Sequence, residues 1–242
     1  MMGLSTRWKG KGSKAMALGN PVSELITKLQ ASLSQSKVYG LLSGSTVLLE
    51  VGIEQADLLN RVCFGCPIIT ASEDTHWYEL SLEEAFYLFR SLNCIKIVMK
   101  NRCLKDADKL WNLMKLNRES FSVYYKAYSH LRAKNWVVRS GIQYGVDFVA
   151  YSHHPSLVHS EYAVIVSDCD GDKSKRLLVW PEVHATVRLE GGVAKTLLLL
   201  HVRKNGCNEV SSSCLEHYTV EESTITRWSS EQCREDKKLV IG

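Results

Sequence analysis

The second half of the chain is a series of β-prone segments separated by turn residues, a pattern that favours a sheet. Between the segments EYAVIVSD and KTLLLLHV, the stretch WPEVHATVRLEGG is compatible with a helix that ends at Gly191-Gly192. A mixed sheet with a helix packed on it is therefore predicted, which places this half in the α/β class. The β-prone segments are, in chain order, VVRSG, YGVDFVAY, EYAVIVSD, KTLLLLHV and YTVEESTITRW.

The first hundred residues alternate between helical and extended patterns. A helix is predicted after Asn20-Pro21, because proline is favoured in a first turn and apolar residues then recur at helical spacing. Residues 46–51 are typical of a strand, and Ser81 with Glu84 forms a capping box that begins another helix. Together these patterns predict a small α/β domain. The apolar stripe that follows Pro21 consists of Val22, Leu25, Ile26, Leu29 and Leu33.

Two further helices are predicted between residues 105 and 134. The second carries an aromatic stripe that includes Phe121, Tyr125 and Tyr128. Such a stripe is compatible with a base-stacking platform for nucleic acid, but helical spacing of this kind favours burial in the core.

These changes of pattern divide the 242 residues into three parts. Residues 1–19 are basic and polar and are expected to form a disordered tail. Residues 20–117 are expected to form the N-terminal α/β domain, and residues 118–242 the C-terminal domain.

Charge and cysteine usage restrict the function classes only loosely. The net charge of +4 is compatible with a polyanionic partner. The eight cysteines are scattered, and no signal sequence or membrane-spanning run is evident, so an intracellular chain with reduced thiols and no membrane contact is expected. Cys63 and Cys66 lack the second pair that a zinc site requires, and are interpreted as structural residues at a helix end.

The stretch YSHHPSLVH, residues 151–159, carries a titratable side chain at each end. Alternation places Tyr151 at the end of one strand and His159 at the start of the next. Because seven residues connect them, the phenol and the imidazole can share one site. A polar surface turn is the alternative. His153 and His154 are expected to be solvent-facing loop residues.

Internal cleavage of RNA needs a base for the 2′-hydroxyl, an acid for the 5′-oxygen and a cation for the charge on phosphorus. Histidine suits proton transfer near neutral pH, whereas tyrosine acts as a base only where cations lower its pKa. Lys195, at the start of a buried strand, is a candidate cation, with a gatekeeper charge as the alternative. A metal-dependent nuclease would need a carboxylate cluster, but Asp147 stands without an evident partner.

The sequence from about residue 118 to residue 230, with these residues in this order, resembles the nuclease domain of tRNA-splicing endonucleases. The resemblance rests on YGVDFVAY, SHHPSLVHSEYAV, VRLEGGVAKTLLLL and TITRW. RWKGKG and LEEAFYLF are similar to the eukaryotic catalytic subunit that cuts the 5′ splice site. The resemblance implies a restriction-endonuclease-like mixed sheet, although the long insertion of many relatives is absent from this chain.

The resemblance also implies residue roles. Tyr151 would be the general base, His159 the general acid and Lys195 the transition-state stabiliser, giving a 2′,3′-cyclic phosphate and a 5′-hydroxyl without metal or cofactor. Arg188 and Trp228 would clamp a bulged nucleotide in a neighbouring subunit's site by stacking. A core tryptophan is the alternative for Trp228.

The partners implied by the resemblance are an intron-containing pre-tRNA, a second catalytic subunit and two structural subunits of a heterotetramer, located in the nucleus. Three alternatives stay open: the subunit that cuts the 3′ splice site, a non-catalytic RNA-binding or structural subunit, and a metal-dependent DNA nuclease on a similar fold.

Overall fold

The structure is a computed structural model of the chain, and it describes residues 6–69, 75–99, 102–170, 196–206 and 211–226. Three candidate site residues, Arg188, Lys195 and Trp228, lie outside these ranges, as does the helix expected before Gly191. In the described part of the chain, the strands form two mixed sheets, and each half also contains helices. This confirms the predicted α/β class of both halves.

The helices and strands follow the sequence patterns closely. The helices are α1 (Ser13–Leu18), α2 (Val22–Ser36), α3 (Ile53–Val62), α4 (Leu82–Phe86), α5 (Ala107–Asn117) and α6 (Phe121–Ala133). The strands are β1 (Tyr39–Ser43), β2 (Thr46–Val51), β3 (Cys66–Ile68), β4 (His76–Ser81), β5 (Lys96–Met99), β6 (Arg102–Leu104), β7 (Val137–Ser140), β8 (Phe148–Tyr151), β9 (Tyr162–Asp168), β10 (Thr196–Arg203) and β11 (Thr219–Thr226). A π-helical turn at Tyr87–Ser91 continues α4, and 3₁₀ turns lie at Ile142–Tyr144 and Ser212–Glu216.

The N-terminal sheet has six strands in the order β3-β4-β2-β1-β5-β6. Its pairs are antiparallel except β1 with β5, which run parallel. The capping box before α4 is confirmed: the Glu84 amide donates to the Ser81 hydroxyl at 3.2 Å, and the Ser81 amide donates to the Glu84 carboxylate at 2.9 Å.

The C-terminal sheet has five strands in the order β11-β10-β9-β8-β7. Strands β9 and β10 are parallel, and the other pairs are antiparallel. Helix α6 packs across β7, β9 and β10, while its other side meets α4. The sheet therefore shares one helix with the N-terminal domain.

An aromatic cluster around α6 forms the centre of the core. The ring of Phe86 lies edge-on to that of Tyr125, with 4.8 Å between centroids, and 5.5 Å from that of Trp111. Phe121, Tyr125 and Tyr128 are all buried. The aromatic stripe of this helix is thus core, as the helical spacing favoured.

Arg132 on α6 connects the two halves, although the residue is almost fully buried. Its guanidinium donates to the carbonyls of Val62 and Cys63, at 3.2 and 3.0 Å, and to the Tyr128 hydroxyl at 2.9 Å. It also lies over the ring of Phe64, 4.2 Å from the centroid. Carbonyls at a helix C-terminus lack partners within the helix, so Arg132 satisfies groups that burial would otherwise leave unpaired.

The first residues differ from the expected disordered tail. Residues 13–18 form α1, and the backbone of Trp8 pairs antiparallel with Val158. Hydrogen bonding to the loop after β8 gives this segment an ordered partner, which its polar composition does not reveal. Within the described ranges, no helix combines the length and apolarity needed to cross a bilayer.

Candidate functional site

The candidate site is built on the connection between β8 and β9. Tyr151 is the last residue of β8 and pairs with Val137 of β7. The Glu161 amide donates to the Ala150 carbonyl at 3.0 Å, which closes the connecting loop at its base. Tyr151 directly follows this closure and His159 lies two residues before it, so the two backbones are held at the two ends of one closed loop.

His159 does not begin β9, contrary to the expectation from alternation, because that strand starts at Tyr162. Instead the His159 amide donates to the Arg7 carbonyl at 2.9 Å, and the Lys9 amide donates to the Leu157 carbonyl at 2.9 Å. Residues 6–9, named here the N-terminal strap, therefore run antiparallel to the end of the loop. The side chain of His159 is exposed.

The strap has one side-chain connection to the base of the loop. The Thr6 hydroxyl donates to the Glu161 carboxylate at 3.0 Å. The sequence predicted a basic tail here and a family resemblance of RWKGKG, but no contact between this segment and His159. Its proximity to His159 depends on a contact across about 150 residues, which no local pattern indicates.

His153 is buried, which corrects the expectation of a solvent-facing residue. Its Nδ1 accepts the amide of His154 at 2.8 Å, so its Nε2, 2.8 Å from the Asn20 carbonyl, is the donor. Asn20 lies between α1 and α2, so His153 connects the middle of the loop to the segment that leads into the N-terminal domain.

His154 lies beside His153 and is half-buried. Its Nδ1 accepts the Ser156 amide at 3.1 Å and lies 2.7 Å from the Ser156 hydroxyl. Burial lowers the pKa of His154, and the neighbouring His153 and the Arg139 guanidinium lower it further. The neutral imidazole is thus the favoured form of His154.

Asp147 has a structural role at the start of the same strand. One carboxylate oxygen accepts the Tyr124 hydroxyl at 3.0 Å, and the other accepts the Val166 amide at 2.8 Å. This carboxylate therefore joins α6, β8 and β9. Among the described residues, no group of three or more histidine, cysteine, aspartate or glutamate side chains is arranged to hold a metal ion.

A cleft of about 660 Å³ lies beside Tyr151, between the N-terminal domain and the C-terminal sheet. One wall comes from the end of α3 and the start of β3, and the other from β7, the 3₁₀ turn after it and the loop. Tyr151 and His154 both line this cleft, whereas His159 does not. The lining residues are Asn60, Cys63, Gly65, Pro67, Arg139, Ser140, Ile142, Gln143, Tyr144, Tyr151, His154 and Pro155.

The phenol of Tyr151 is in an environment that favours its neutral form. Burial raises its pKa above the ordinary value, and the nearby Tyr144 and Cys63 add to the increase. The Arg139 guanidinium acts in the opposite direction. A role as base therefore requires more positive charge than Arg139 supplies, and Lys195 is the sequence candidate.

Arg139 is held in the cleft wall by the opposite domain. It donates to the Gly65 carbonyl at 2.8 Å and to the Cys66 sulfur at 3.4 Å. Gly65 has a φ of +66°, and a Cβ there would meet the Glu79 carbonyl oxygen at 2.9 Å. Glycine is therefore required at this turn for the carbonyl to reach Arg139.

The two cysteines of the Cys-x-x-Cys pair have different environments. Cys63 is buried at the C-terminal end of α3, as predicted, and burial raises its pKa to about 11. Its sulfur donates to the Asn60 carbonyl at 3.4 Å. Cys66 is exposed in β3, which differs from the expected apolar role.

Two family models match the two α/β halves of the structure. The model described as tRNA intron endonuclease, N-terminal domain, matches residues 38–111. The model described as tRNA intron endonuclease, catalytic C-terminal domain, matches residues 121–210 and so includes the loop between Tyr151 and His159. Together the two matches define the class of protein: a two-domain α/β endonuclease with its catalytic domain in the carboxy-terminal half.

Curated relatives extend the match to nearly the whole chain. The tRNA-splicing endonuclease subunit Sen2-1 of Arabidopsis thaliana is 52% identical over 236 residues, which cover 97% of this chain and 99% of the relative. The probable tRNA-splicing endonuclease subunit Sen2 of Oryza sativa subsp. japonica is 47% identical over 241 residues, covering 96% of this chain and 82% of the relative. The tRNA-splicing endonuclease of Saccharolobus solfataricus is 36% identical over 138 residues, which cover 55% of this chain and 75% of the relative. The chain belongs to the tRNA intron endonuclease family.

Proposed function

We propose that this chain is the catalytic subunit of a tRNA-splicing endonuclease that cleaves pre-tRNA at the 5′ splice site. The observation that carries the endonuclease assignment is the 52% identity, over 97% of the chain, to a relative named as a Sen2 subunit of that enzyme. The choice of the 5′ splice site rests on the resemblance of RWKGKG and LEEAFYLF to the eukaryotic subunit that cuts there. The closed loop between Tyr151 and His159 supports it, because the hydrogen bond from the Glu161 amide to the Ala150 carbonyl brings the backbones of the two proposed proton-transfer residues to the two ends of one loop.

The proposed reaction is an internal transesterification of the RNA backbone. The phenolate form of Tyr151 takes the proton of the 2′-hydroxyl, and that oxygen attacks the adjacent phosphorus. The bond from phosphorus to the 5′-oxygen breaks, and His159 donates a proton to the leaving oxygen. Lys195 stabilises the charge that develops on the phosphoryl oxygens. The products are a 2′,3′-cyclic phosphate and a 5′-hydroxyl, and no metal ion takes part.

The proposed assembly is a heterotetramer of this chain, a second catalytic subunit and two structural subunits. In it, Arg188 and Trp228 of this chain clamp a bulged nucleotide at the neighbouring catalytic site. The family resemblance motivates both statements. Mass measurement of the purified complex tests the composition, and a complex that lacks any of the three further subunits contradicts it.

Nuclear location is proposed from the same resemblance and from the basic residues between Arg7 and Lys14. A fluorescent fusion of the full chain tests it. Exclusion of the fusion from the nucleus would reject the location and leave the proposed chemistry intact.

Cleavage of an intron-containing pre-tRNA by the co-expressed complex in EDTA tests the central proposal. We expect cutting at the 5′ splice site at an unchanged rate, with a cyclic phosphate on the upstream product. Loss of cleavage in EDTA that Mg²⁺ restores would reject the mechanism. Loss of 3′ rather than 5′ cutting on substitution of His159 would assign this chain to the other splice site.

A further inference from the structure

The pairing of the N-terminal strap with the loop determines which side chains lie next to His159. The two hydrogen bonds, from His159 to Arg7 and from Lys9 to Leu157, flank the Trp8–Val158 pair. In an antiparallel pair, directly opposite residues place their side chains on the same face. Arg7 therefore lies directly across from His159, on the face opposite to Trp8.

The two faces of this pair have opposite character. Val158 is fully buried and Trp8 is partly buried, so their face packs against the protein. Arg7, Lys9 and His159 are exposed, so the other face is directed toward solvent. In the strap sequence Arg7-Trp8-Lys9, Trp8 therefore anchors the strap to the protein, and the cations on either side of it face solvent.

The cations on the exposed face are available to an anion. Within the described ranges, neither the Arg7 guanidinium nor the His159 imidazole has a side-chain hydrogen bond or an ion pair with another side chain. The adjacent carboxylate, Glu161, is buried and accepts the Thr6 hydroxyl. In the part of the chain that the structure describes, no ion pair joins Glu161 to Arg7.

We propose that Arg7 binds an RNA backbone phosphate next to His159, so that the N-terminal strap forms part of the substrate site. A guanidinium binds two phosphate oxygens in a fork, which orients as well as attracts the phosphate. The backbone pairing gives the strap its second task, which is to hold His159 in place. This inference rests on the proposed function, because it takes His159 as the residue at the scissile phosphodiester.

Arg7→Gln, Arg7→Lys and Lys14→Gln in the co-expressed complex test this inference. Lys14→Gln is the matched control, since Lys14 is an exposed cation of the same basic segment but lies in α1. Arg7→Gln keeps the backbone pairing and removes only the charge. We expect its kcat/KM for pre-tRNA to fall about 10- to 100-fold, as for loss of a hydrogen bond to a charged group. Arg7→Lys should recover part of that loss.

The salt dependence of binding separates an ionic interaction with phosphate from a structural effect. Removing one cation that binds a phosphate makes the slope of log K against log salt shallower by about 0.7 on single-stranded RNA. We expect that change for Arg7→Gln, measured by filter binding, and a smaller one for Lys14→Gln. Equal rates and equal slopes for the two variants would overturn the inference.

His159→Ala separates failure of this inference from failure of the proposed function. An inactive His159→Ala with a fully active Arg7→Gln would reject only the role of Arg7. A fully active His159→Ala would reject the proposed function, whatever the result at Arg7.

Discussion

At the scale of single residues, Tyr151 and His159 differ in how much protein surrounds them. Tyr151 is half-buried in the cleft wall, where burial raises its pKa, while His159 is exposed beside the strap. A phenol in that environment needs an added cation before it can ionise and act as a base at neutral pH. Arg139 supplies part of that charge, and Lys195 is the candidate from the sequence for the rest.

His159→Ala is expected to lower the rate of cleavage by about 10²–10⁴-fold, the usual contribution of a general acid or base. Substrate binding should survive, because the imidazole acts on the leaving oxygen. Single-turnover cleavage together with filter binding checks this. His217→Ala is the matched control, since His217 is exposed and lies after the 3₁₀ turn that precedes β11, on another element than the site. Equal rates for the two variants would contradict the role of His159.

At the scale of elements, the β8–β9 connection is fastened at its base and in its middle. Asp147 joins β8 to β9 and α6, Glu161 closes the loop against Ala150, and His153 ties the loop to Asn20. These contacts restrict the loop before any substrate arrives. A site built on a restricted loop loses less conformational entropy on binding.

Asp147→Ala is expected to lower the free energy of unfolding by about 1–3 kcal/mol, because the Val166 amide and the Tyr124 hydroxyl lose their partly buried acceptor. Thermal or urea unfolding in EDTA and in Mg²⁺ measures it, and the loss should be the same in both. Asp57→Ala is the control, since its ion pair with Arg61 is exposed and contributes about 0–1 kcal/mol. A loss confined to the Mg²⁺ sample would make Asp147 a metal ligand instead.

At the scale of the whole molecule, both α/β halves share one core. A single hydrophobic cluster extends from Phe86 and Trp111 of the first half to Val164 and Leu200 of the C-terminal sheet. Arg132 bonds the end of α3 to α6, and Arg139 bonds the turn after α3 to β7. The cleft beside Tyr151 is lined by Cys63 and Gly65 of the first half and by Arg139 of the second, so its shape depends on how the halves are joined.

Arg132→Met is expected to destabilise the folded chain by about 2–5 kcal/mol, because two buried carbonyls lose their donors. Urea unfolding measures the change. Arg203→Met is the matched control, because Arg203 has only an exposed pair with Glu221 and should contribute about 0–1 kcal/mol. An Arg132→Met variant as stable as the control would show that apolar packing alone joins the halves.

Most of the fold could be predicted from local patterns. The strand at Thr46–Val51, the capping box at Ser81 and the aromatic helix at Phe121–Ala133 all stand where spacing and capping place them. Such signals are local, because a helix or strand buries one face at a fixed period. The position of His159 outside β9 was not predicted, since its partner lies about 150 residues earlier.

The sequence by itself determined the α/β class and many of the helices and strands, and it nominated Tyr151, His159 and Lys195 as candidate groups for internal RNA cleavage. Only the tertiary structure decided that the basic first residues pair with the loop at His159, that His153 is buried, and that Asp147 is a structural carboxylate. The physical reason is the range of the interactions. Periodicity and capping act within a few residues, whereas burial and cross-strand pairing depend on which distant segments the fold brings together.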